Sequence, residues 1–438
     1  MIKKDFLGNF DFILIGVVGL IVLIGCLMIY SGGFDSINKI NSGLFKKQVL
    51  WILVGFLAMF LVSFLNYQLL GTYSLYIYGS LLIILLFTTV FGQPIRNTRA
   101  WINFGVFSIQ PSEFMKLGLV IFMARVLELR ERDLRNFREL LIPSILTFIP
   151  IVIILRQPDF GTAFIFIPIL FVMLYLAGAD VLHLLSIISI AVIALVVPMV
   201  LTYREWIGAR GSNLVLDFFN DPTLLFIVSG ILLIVSFFSY LGYFLLIKNI
   251  FRRIYISSLV LSLGLFFSVV IQNLFKEYQK KRILVFLNPK LDPYGSGYNI
   301  IQSKIAIGSG GFFGKGFLEG TQAQLGFLPE KTSDFIFSVL AEEWGFLGGM
   351  VMIVLFLILL FRCIQISLEA KDKFGALVAS GITAIFFFHI VVNIGMVIGI
   401  MPVTGLPLCF VSYGGSNLIV SMIGIGILNN IQMKKFIN

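Results

Sequence analysis

Long apolar segments separated by short polar ones dominate the chain. Each segment approaches the roughly 20 residues that a helix needs to cross a bilayer. The pattern therefore predicts an all-α polytopic membrane protein, a single domain over residues 1–438. About twelve transmembrane helices are expected, near residues 12–30, 48–66, 72–91, 112–128, 139–155, 162–178, 181–202, 223–247, 254–272, 334–361, 374–399 and 406–430.

Basic residues predict the orientation of these helices, because cytoplasmic loops are enriched in Lys and Arg. With the N-terminus inside, the basic stretches 125–139, 247–253, 362–373 and 432–438 all fall on the cytoplasmic side. Both termini are then cytoplasmic. The segments 92–110, 156–161 and 401–407, and a long loop near 273–333, fall outside. The basic run from Lys276 to Arg282 is the exception, since it falls on the outer side.

The outer side collects the polar, turn-rich sequence. From Leu287 to Glu343, Gly, Pro, Asp, Lys and Gln stand close together, and such residues favour turns over a spanning helix. In a membrane protein, irregular polar backbone is tolerated only where it is buried in protein or lines a wet cavity. We therefore expect chemistry at the outer face.

Composition supports the membrane interpretation. The chain is 59% hydrophobic and 12% charged, against roughly 25% charged residues in soluble domains. The net charge of +10 follows from the basic inner loops, so no nucleic-acid partner is expected. Three cysteines lie in or beside apolar segments without metal-ligand spacing, and are expected to be packing residues. The start of the chain shows no evident cleavage signal.

Asp292 is the first candidate for chemistry. It lies between Pro289 and Pro293, where a helix cannot continue. A carboxylate there could act as a general base and accept a proton from an attacking hydroxyl. The sequence alone favours the simpler alternative, an Asp-Pro turn.

Glu113 and Lys116 are the second candidate. A helix would place them on one face, at positions i and i+3, with Pro111 in the first turn and Ser112 near the cap. A charged pair entering the membrane is a candidate functional site, and a structural ion pair is the equal alternative. Asp159, at another outer helix end, either caps the following helix or faces a cavity.

Other polar groups carry weaker signals. Arg96, Arg99 and Arg156 could hold phosphate oxygens, although each alone is more typical of an interfacial anchor. The run GSGGFFGKG (308–316) departs from the nucleotide-binding pattern at both ends and leaves only a weak anion-pocket signal. His183 and His389 lie in separate apolar segments and are expected to pack there. Carboxylates are thus the credible outer-face bases.

Five blocks in order resemble the SEDS family (shape, elongation, division and sporulation). They are RNTRAWINFGVFSIQPSEFMKLG, RQPDFGTA, LDPYGSGYNIIQSKIAIGSGGFFGKG, GTQAQLGFLPEKTSDFIFSVLAEEWG and PVTGLPLCFVSYGGSNL. Together they cover most of the chain outside 203–275. The family has about ten spanning helices, so the resemblance implies an inserted helix pair within about 203–275. The last block departs from the family at Cys409 and Asn417, where we expect helix packing by small residues.

The resemblance implies a peptidoglycan glycosyltransferase that polymerises lipid II at the outer face of the bacterial cytoplasmic (inner) membrane during cell elongation. Its substrates would be lipid II and a polyprenyl-pyrophosphate-linked glycan. Its partners would be a class B penicillin-binding protein, which is a transpeptidase, and other membrane proteins of the elongation complex. No cofactor is certain, although a carboxylate near a pyrophosphate is compatible with Mg²⁺ or Mn²⁺.

The family's essential loop aspartate falls on Asp292, which the resemblance implies is the catalytic base. The substrate-binding residues that follow from the same blocks and the outer-face charges are Trp101, Gln110, Glu113, Lys116, Asp159, Arg99 and Lys304.

Three alternatives stay open. A lipid II flippase would also carry charges within many helices, but its polar groups should be distributed across the membrane rather than crowded at one face. A family member that acts in division or sporulation would catalyse the same reaction during that process instead of during elongation. A non-catalytic scaffold of the elongation complex would need Asp292 only for folding or partner binding.

Overall fold

The computed structural model describes residues 10–35, 40–41, 43–95, 98–105, 107–130, 137–207, 219, 221–246, 248–274, 285, 288–289, 292–293 and 295–435. The chain divides into two compact units. The first contains residues 1–179 and 299–438, and the second contains residues 180–298.

Helices make up most of the first unit. In chain order they are α1 (Phe12–Gly32), α2 (Leu44–Phe64), α3 (Tyr67–Thr72), α4 (Ser74–Phe91), α5 (Pro111–Leu129), α6 (Phe137–Arg156) and α7 (Phe160–Leu176). After the second unit, which contains α8 (Val181–Ile207), α9 (Pro222–Leu246) and α10 (Asn249–Leu274), follow α11 (Ser296–Gly310), α12 (Thr321–Gln324), α13 (Ile336–Glu369), α14 (Lys373–Ile398) and α15 (Gly415–Met433).

A helix overlaps each of the twelve predicted segments. Ten helices in the described part of the chain are long and apolar enough to cross a membrane. The other two differ for physical reasons: α5 carries four charged side chains, and α7 has only 17 residues. The multi-pass helical architecture is confirmed, and the count of twelve stays a prediction, as do the single domain and the inserted pair.

Contacts within the first unit agree with the predicted alternation of helix ends. At the ends predicted to be cytoplasmic, Arg362 Nη2 lies 2.7 Å from Asp11 Oδ2, and Tyr67 Oη donates to Asp372 Oδ2 at 2.8 Å. At the opposite ends, Ser31 Oγ donates to Glu343 Oε1. Side chains predicted to lie on the same side of the membrane therefore contact each other.

Short strands occur between α1 and α2 and in the predicted outer segment 92–110. β1 (Phe34–Asp35) pairs with β2 (Ile40–Asn41), and β3 (Gln93–Ile95), β4 (Thr98–Asn103) and β5 (Ser108–Ile109) form an antiparallel sheet in that order. The sheet joins α4 to α5 and leads the chain directly into Pro111, the first residue of α5. Proline suits that position because the first helical N–H needs no partner.

The long loop predicted near 273–333 stays a prediction, and its described part contains helical segments. The 15-residue helix α11 and the single turn α12 lie within it. Ten consecutive residues, 298–307, contain neither Gly nor Pro, which leaves room for a helix too short to span a bilayer. Ser303 fixes α11 in the first unit, since its Oγ lies 2.8 Å from Ser338 Oγ and 2.6 Å from the Val397 carbonyl.

Helix α13 is broken at Gly345, whose φ of 66° and ψ of −161° are not helical. The segment Gly310–Gly316 fills the break. Lys315 N and Gly316 N donate to the Glu342 and Glu343 carbonyls at 3.0 Å, while Phe346 N donates to the Gly311 carbonyl at 2.9 Å. The glycine-rich run that resembled an anion loop therefore satisfies the backbone groups of a discontinuous membrane helix.

The second unit contains α8, α9 and α10. Leu225, Leu265 and Val269 form its buried centre. Ser262 Oγ donates to the Ser229 carbonyl at 2.7 Å, which ties α10 to α9. Much of the remaining surface is apolar, with Phe237 and Phe238 more than 60% exposed, as expected for helices that face lipid.

Candidate functional site

The centre of the candidate site is a buried ion pair at the start of α5. Lys116 Nζ lies 2.8 Å from Glu113 Oε2, and both residues are at most 2% exposed. The predicted i, i+3 spacing on one helix face is confirmed. Since an isolated charge in a low-dielectric interior is very costly, each of these groups depends on the other and on further hydrogen bonds.

Two residues from distant parts of the sequence complete this pair. Asn417 Nδ2 donates to Glu113 Oε2 at 2.8 Å, and His389 Nε2 lies 2.8 Å from Lys116 Nζ. The sequence analysis missed both, because it assigned His389 to packing and the Asn417 block to small-residue contacts. A polar side chain within an apolar helix was the available signal.

Asp159 occupies a neighbouring position in the first unit. Its carboxylate caps α7, because Thr162 N donates to Oδ1 at 3.1 Å and Thr162 Oγ1 to Oδ2 at 2.8 Å. Gln110 Nε2 also donates to Asp159 Oδ2, at 2.7 Å. Burial raises the pKa of Asp159 above its usual value, against the lowering effect of the Thr162 hydrogen bonds. The structure therefore brings Gln110 and Asp159 together, as a hydrogen-bonded pair.

The backbone of Gln110 connects this pair to α15. Gln110 N donates to Ser416 Oγ at 2.9 Å, and Ser416 is adjacent to Asn417. Gly415, one residue earlier, packs so closely on Trp51 that a Cβ there would lie 2.3 Å from the indole. Four of the predicted residues, Gln110, Glu113, Lys116 and Asp159, thus belong to one hydrogen-bonded neighbourhood.

The segment between α14 and α15 lies against this neighbourhood. Gly161 contacts it so closely that a Cβ would lie 2.3 Å from the Thr404 carbonyl. Asn393 Nδ2 donates to the Leu406 carbonyl at 2.7 Å and to the Asp334 carbonyl at 2.9 Å. Asn393 therefore links the Leu406 carbonyl of this segment both to α14 and to the chain before α13.

The remaining predicted binding residues of the first unit are dispersed. Trp101 is half-buried in β4, opposite Gln93 of β3, and Arg99 is exposed in the same strand. Lys304 is exposed on α11 and lies across the end of α14, with Nζ 2.5 Å from where a Cβ of Gly399 would be. A cation at a helix C-terminus is favourable, which gives Lys304 a structural role too. Arg96 lies outside the described residues.

Asp292 belongs to the second unit, in the turn that precedes α11. Its backbone carbonyl accepts Gly297 N at 3.1 Å and Gly295 N at 3.3 Å. A Cβ on Gly295 would lie 2.3 Å from Asp292 Oδ2, so the missing side chain leaves space for the carboxylate. A Cβ on Gly297 would lie 2.3 Å from the Pro289 carbonyl, so this glycine permits the turn itself.

A divalent cation finds no built site among the residues that the structure describes. None of the His, Cys, Asp and Glu side chains there form a group of three or more that could hold a metal. The three cysteines are free thiols. The described residues therefore offer no ligand set for Mg²⁺ or Mn²⁺.

The chemistry of this hydrogen-bonded neighbourhood follows from its polar side-chain groups. It contains one ammonium group, two carboxylates, two amides and one imidazole, arranged so that each charge has a side-chain partner. Such side-chain partners, unlike backbone groups, can be exchanged for the polar groups of a ligand. An ammonium in a low-dielectric site is suited to anionic oxygens such as those of phosphates.

Comparison with known proteins identifies the class. The profile of the FtsW, RodA and SpoVE family, described as cell cycle protein, matches residues 11–224 and 214–436. The chain therefore belongs to this family of membrane proteins, and the predicted SEDS membership is confirmed.

Individual relatives match over nearly their whole length. The chain is 34% identical to peptidoglycan glycosyltransferase RodA of Treponema pallidum over 98% of both chains. It is 32% identical to stage V sporulation protein E of Bacillus subtilis over 96% of both. It is also 32% identical to peptidoglycan glycosyltransferase MrdB of Escherichia coli K12, over 94% of this chain and 92% of that one.

Solved structures agree with the fold. A chain from a peptidoglycan synthase complex that coordinates polymerization and crosslinking superposes with a TM-score of 0.69 at 28% identity, covering 98% of this chain and 99% of that one. The rod shape determining protein RodA of Thermus thermophilus gives a TM-score of 0.59 at 24% identity over 98% of both chains, which supports the fold alone.

Proposed function

We propose that this chain polymerises lipid II into glycan strands at the outer face of the cytoplasmic membrane during cell elongation. The observation that carries the proposal is full-length similarity to peptidoglycan glycosyltransferases, together with a buried ammonium–carboxylate centre in the first unit. The chain is a peptidoglycan glycosyltransferase of this family. Lipid II as substrate and the outward-facing site are our inferences for this protein.

In the proposed reaction, the 4-hydroxyl of the incoming lipid II attacks the anomeric carbon of the growing, lipid-linked glycan. Asp292 accepts the hydroxyl proton as the new carbon–oxygen bond forms. The bond between the anomeric carbon and the pyrophosphate oxygen breaks, and the lipid pyrophosphate leaves with the electron pair. General-base catalysis of this kind contributes on the order of 10²–10⁴ in rate.

The leaving pyrophosphate gains negative charge as the bond breaks, so a positive group is needed beside it. We assign that role to Lys116, whose ammonium is held by Glu113 in a site with low water content, where electrostatic interactions are strong. Asp159 and Gln110 are proposed to bind polar groups of the substrate. Trp101, Arg99 and Lys304 are proposed to contact the sugar–pyrophosphate portion.

A class B penicillin-binding protein is the proposed partner, since a structural relative belongs to a complex that coordinates polymerization and crosslinking. The other proposed partners are further membrane proteins of the elongation machinery. The proposed location is the bacterial inner membrane with both termini in the cytoplasm, supported by the basic inner loops and the sidedness of contacts in the first unit.

The test is polymerisation of purified lipid II by the protein with its cognate penicillin-binding partner. Asp292→Asn retains the shape of the side chain and removes the base, so we expect the glycan ladder to disappear while thermal stability is kept. Gly295→Ala should reduce activity as well, because its Cβ would displace the Asp292 carboxylate.

Asp221→Asn is the matched control. Asp221 caps a helix of the same unit by accepting Thr223 N at 2.8 Å, and an asparagine can keep that bond. A ladder from Asp292→Asn equal to that of wild type would refute the base assignment. If the wild-type complex makes no ladder but moves lipid II across vesicle membranes, the flippase alternative replaces the polymerase.

A further inference from the structure

His389 is a buried polar residue that has no role in the proposed reaction as described above. It lies in α14, is fully buried, and is one of only two histidines in the chain. Each of its ring nitrogens has a polar neighbour: Nε2 is 2.8 Å from Lys116 Nζ, and Nδ1 is 3.0 Å from the Pro407 carbonyl.

These two neighbours determine the form of the ring. A carbonyl oxygen can only accept, so Nδ1 carries the hydrogen and donates it to Pro407. Nε2 therefore has its lone pair free to accept from the ammonium of Lys116. A doubly protonated ring would place a second cation 2.8 Å from that ammonium, without a hydrogen bond between them. The geometry requires a neutral imidazole.

The neutral ring fixes the direction of the ammonium. Lys116 has three N–H donors, of which one points to Glu113 and another to His389. With two directions fixed, the third is fixed as well by the tetrahedral geometry of the nitrogen. If Glu113 were the sole partner, the ammonium of Lys116 could rotate about its one hydrogen bond and its other N–H groups would have no fixed direction.

The Pro407 carbonyl that accepts from the ring lies in a segment with hydrogen bonds on both sides of it. Pro407 lies in the segment between α14 and α15, and the neighbouring Leu406 carbonyl accepts from Asn393 Nδ2 at 2.7 Å. On the other side, Leu408 N donates to Ser412 Oγ, which in turn donates to the Ser333 carbonyl at 2.6 Å. The Pro407 carbonyl therefore has little freedom to move.

We infer that His389 is a positioning residue that orients Lys116 for glycosyl transfer, by joining its ammonium to the fixed carbonyl of Pro407. The inference rests on the proposed function in so far as Lys116 acts on the substrate. The tautomer and the contact with Lys116 do not depend on it.

The kinetic test compares two substitutions. His389→Phe keeps a ring and removes both nitrogens, so Lys116 loses one of its fixed directions. We expect kcat for lipid II polymerisation to fall by roughly 10²-fold with KM little changed, as for a misplaced catalytic group. His389→Gln can accept from Lys116 and donate to Pro407, and should restore most of the activity.

His183→Phe is the control, since it makes the same change at the other histidine and should leave kcat unchanged. Activity of a folded His389→Phe protein within two-fold of wild type would overturn the inference. Rescue by Gln is also required, because a purely steric role would be served as well by Phe as by Gln.

A second measurement stands apart from activity. In His183→Phe protein labelled with ¹⁵N-histidine and reconstituted in lipid, the single imidazole should give the neutral spectrum with hydrogen on Nδ1. Lys116→Met should shift the Nε2 resonance. An imidazolium, the opposite tautomer, or no shift on Lys116→Met would refute the contact even if His389→Phe fails to fold or the chain is not a polymerase.

Discussion

Glu113 and Glu342 are two buried carboxylates in the first unit, and different kinds of groups stabilise their negative charges. Glu113 is neutralised by the Lys116 ammonium and accepts a further hydrogen bond from the Asn417 amide, so both of these partners are side chains. Glu342 is fully buried too, but Oε1 accepts the backbone N–H of Gln322 at 2.9 Å and Oε2 that of Ala323 at 3.2 Å. Its charged partner is Lys315, whose side chain is 26% exposed and lies 2.9 Å away.

The kind of partner, backbone or side chain, determines whether a site can bind a ligand. Backbone donors cannot leave without unfolding the segment that carries them, so Glu342 is a permanent anchor between α12, the glycine-rich segment and α13. The partners of Glu113 are side chains, so a ligand that supplies matching polar groups can engage them without unfolding any backbone. We therefore interpret the first site as reactive and the second as structural.

Removal of the ammonium at the first site should have the largest effect. Lys116→Met leaves the Glu113 carboxylate buried with only the Asn417 amide, and loss of one partner of a buried pair costs about 3–5 kcal/mol. Denaturant unfolding in detergent measures the loss, and glycan-ladder assays should show no product.

Lys435→Met is the matched control, since it makes the same change at an exposed ion pair with Glu369 and should alter neither readout. Equal effects of the two substitutions would show that burial of the Lys116 pair is unimportant.

The break in α13 should be the next most sensitive point. Gly345→Ala forces a side chain onto a backbone conformation that strongly favours glycine, and its Cβ would lie 2.2 Å from Gly314 N. Backbone strain of this kind costs about 1–3 kcal/mol before any clash is counted. The expected result is a lower thermal midpoint for the purified protein.

Gly349→Ala provides the comparison within the same helix. A Cβ there would meet only Phe337 at 3.6 Å, an ordinary contact, and alanine favours helix. We expect its midpoint to be unchanged or higher. A Gly345→Ala protein as stable as Gly349→Ala would mean that the segment Gly310–Gly316 does not hold the break in solution.

A change at the second acidic site should cost less than the change at Lys116. Glu342→Gln keeps an oxygen for one of the two backbone donors, leaves the other without an acceptor and removes the charged partner of Lys315, for a cost of about 1–3 kcal/mol. Residual activity per folded molecule should stay near that of wild type. Normal stability with abolished polymerisation would contradict the structural interpretation and move chemistry to Glu342.

The smallest effect is expected from the pH dependence of Asp159. Because burial raises its pKa in the folded state, its contribution to stability is fully present below the unfolded pKa and is lost as the pH rises through the folded pKa. Asp159→Asn, which can still cap α7, should flatten this decrease in melting temperature with pH. Parallel curves for the two proteins would show that Asp159 does not titrate with a raised pKa.

Local sequence signals predicted the helices and the residues that act within one helix. Hydrophobic length located the spans, Pro111 marked the start of α5, and the spacing of Glu113 and Lys116 placed them on one face. Asp159 was correctly predicted as a cap candidate.

Contacts between distant segments were beyond such signals. His389 lies 273 residues from Lys116, and Asn417 lies 304 residues from Glu113, so only the packing of α14 and α15 on α5 brings them together. The break at Gly345 depends likewise on a segment 30 residues earlier. No periodicity records such pairings, which is why His389 was interpreted as packing and the glycine-rich run as a loop.

The sequence positions of these partners have a consequence for biogenesis. Ser31, Lys315 and Gln322, which surround Glu342 and Glu343, are all synthesised before α13 leaves the ribosome. The second acidic site can therefore be neutralised as its helix enters the bilayer. Lys116 and Glu113 can only neutralise each other at that stage, and must wait for His389 and Asn417. The reactive centre is thus completed only after α14 and α15 have joined α13, so a nascent chain that does not yet include Asn417 remains inactive.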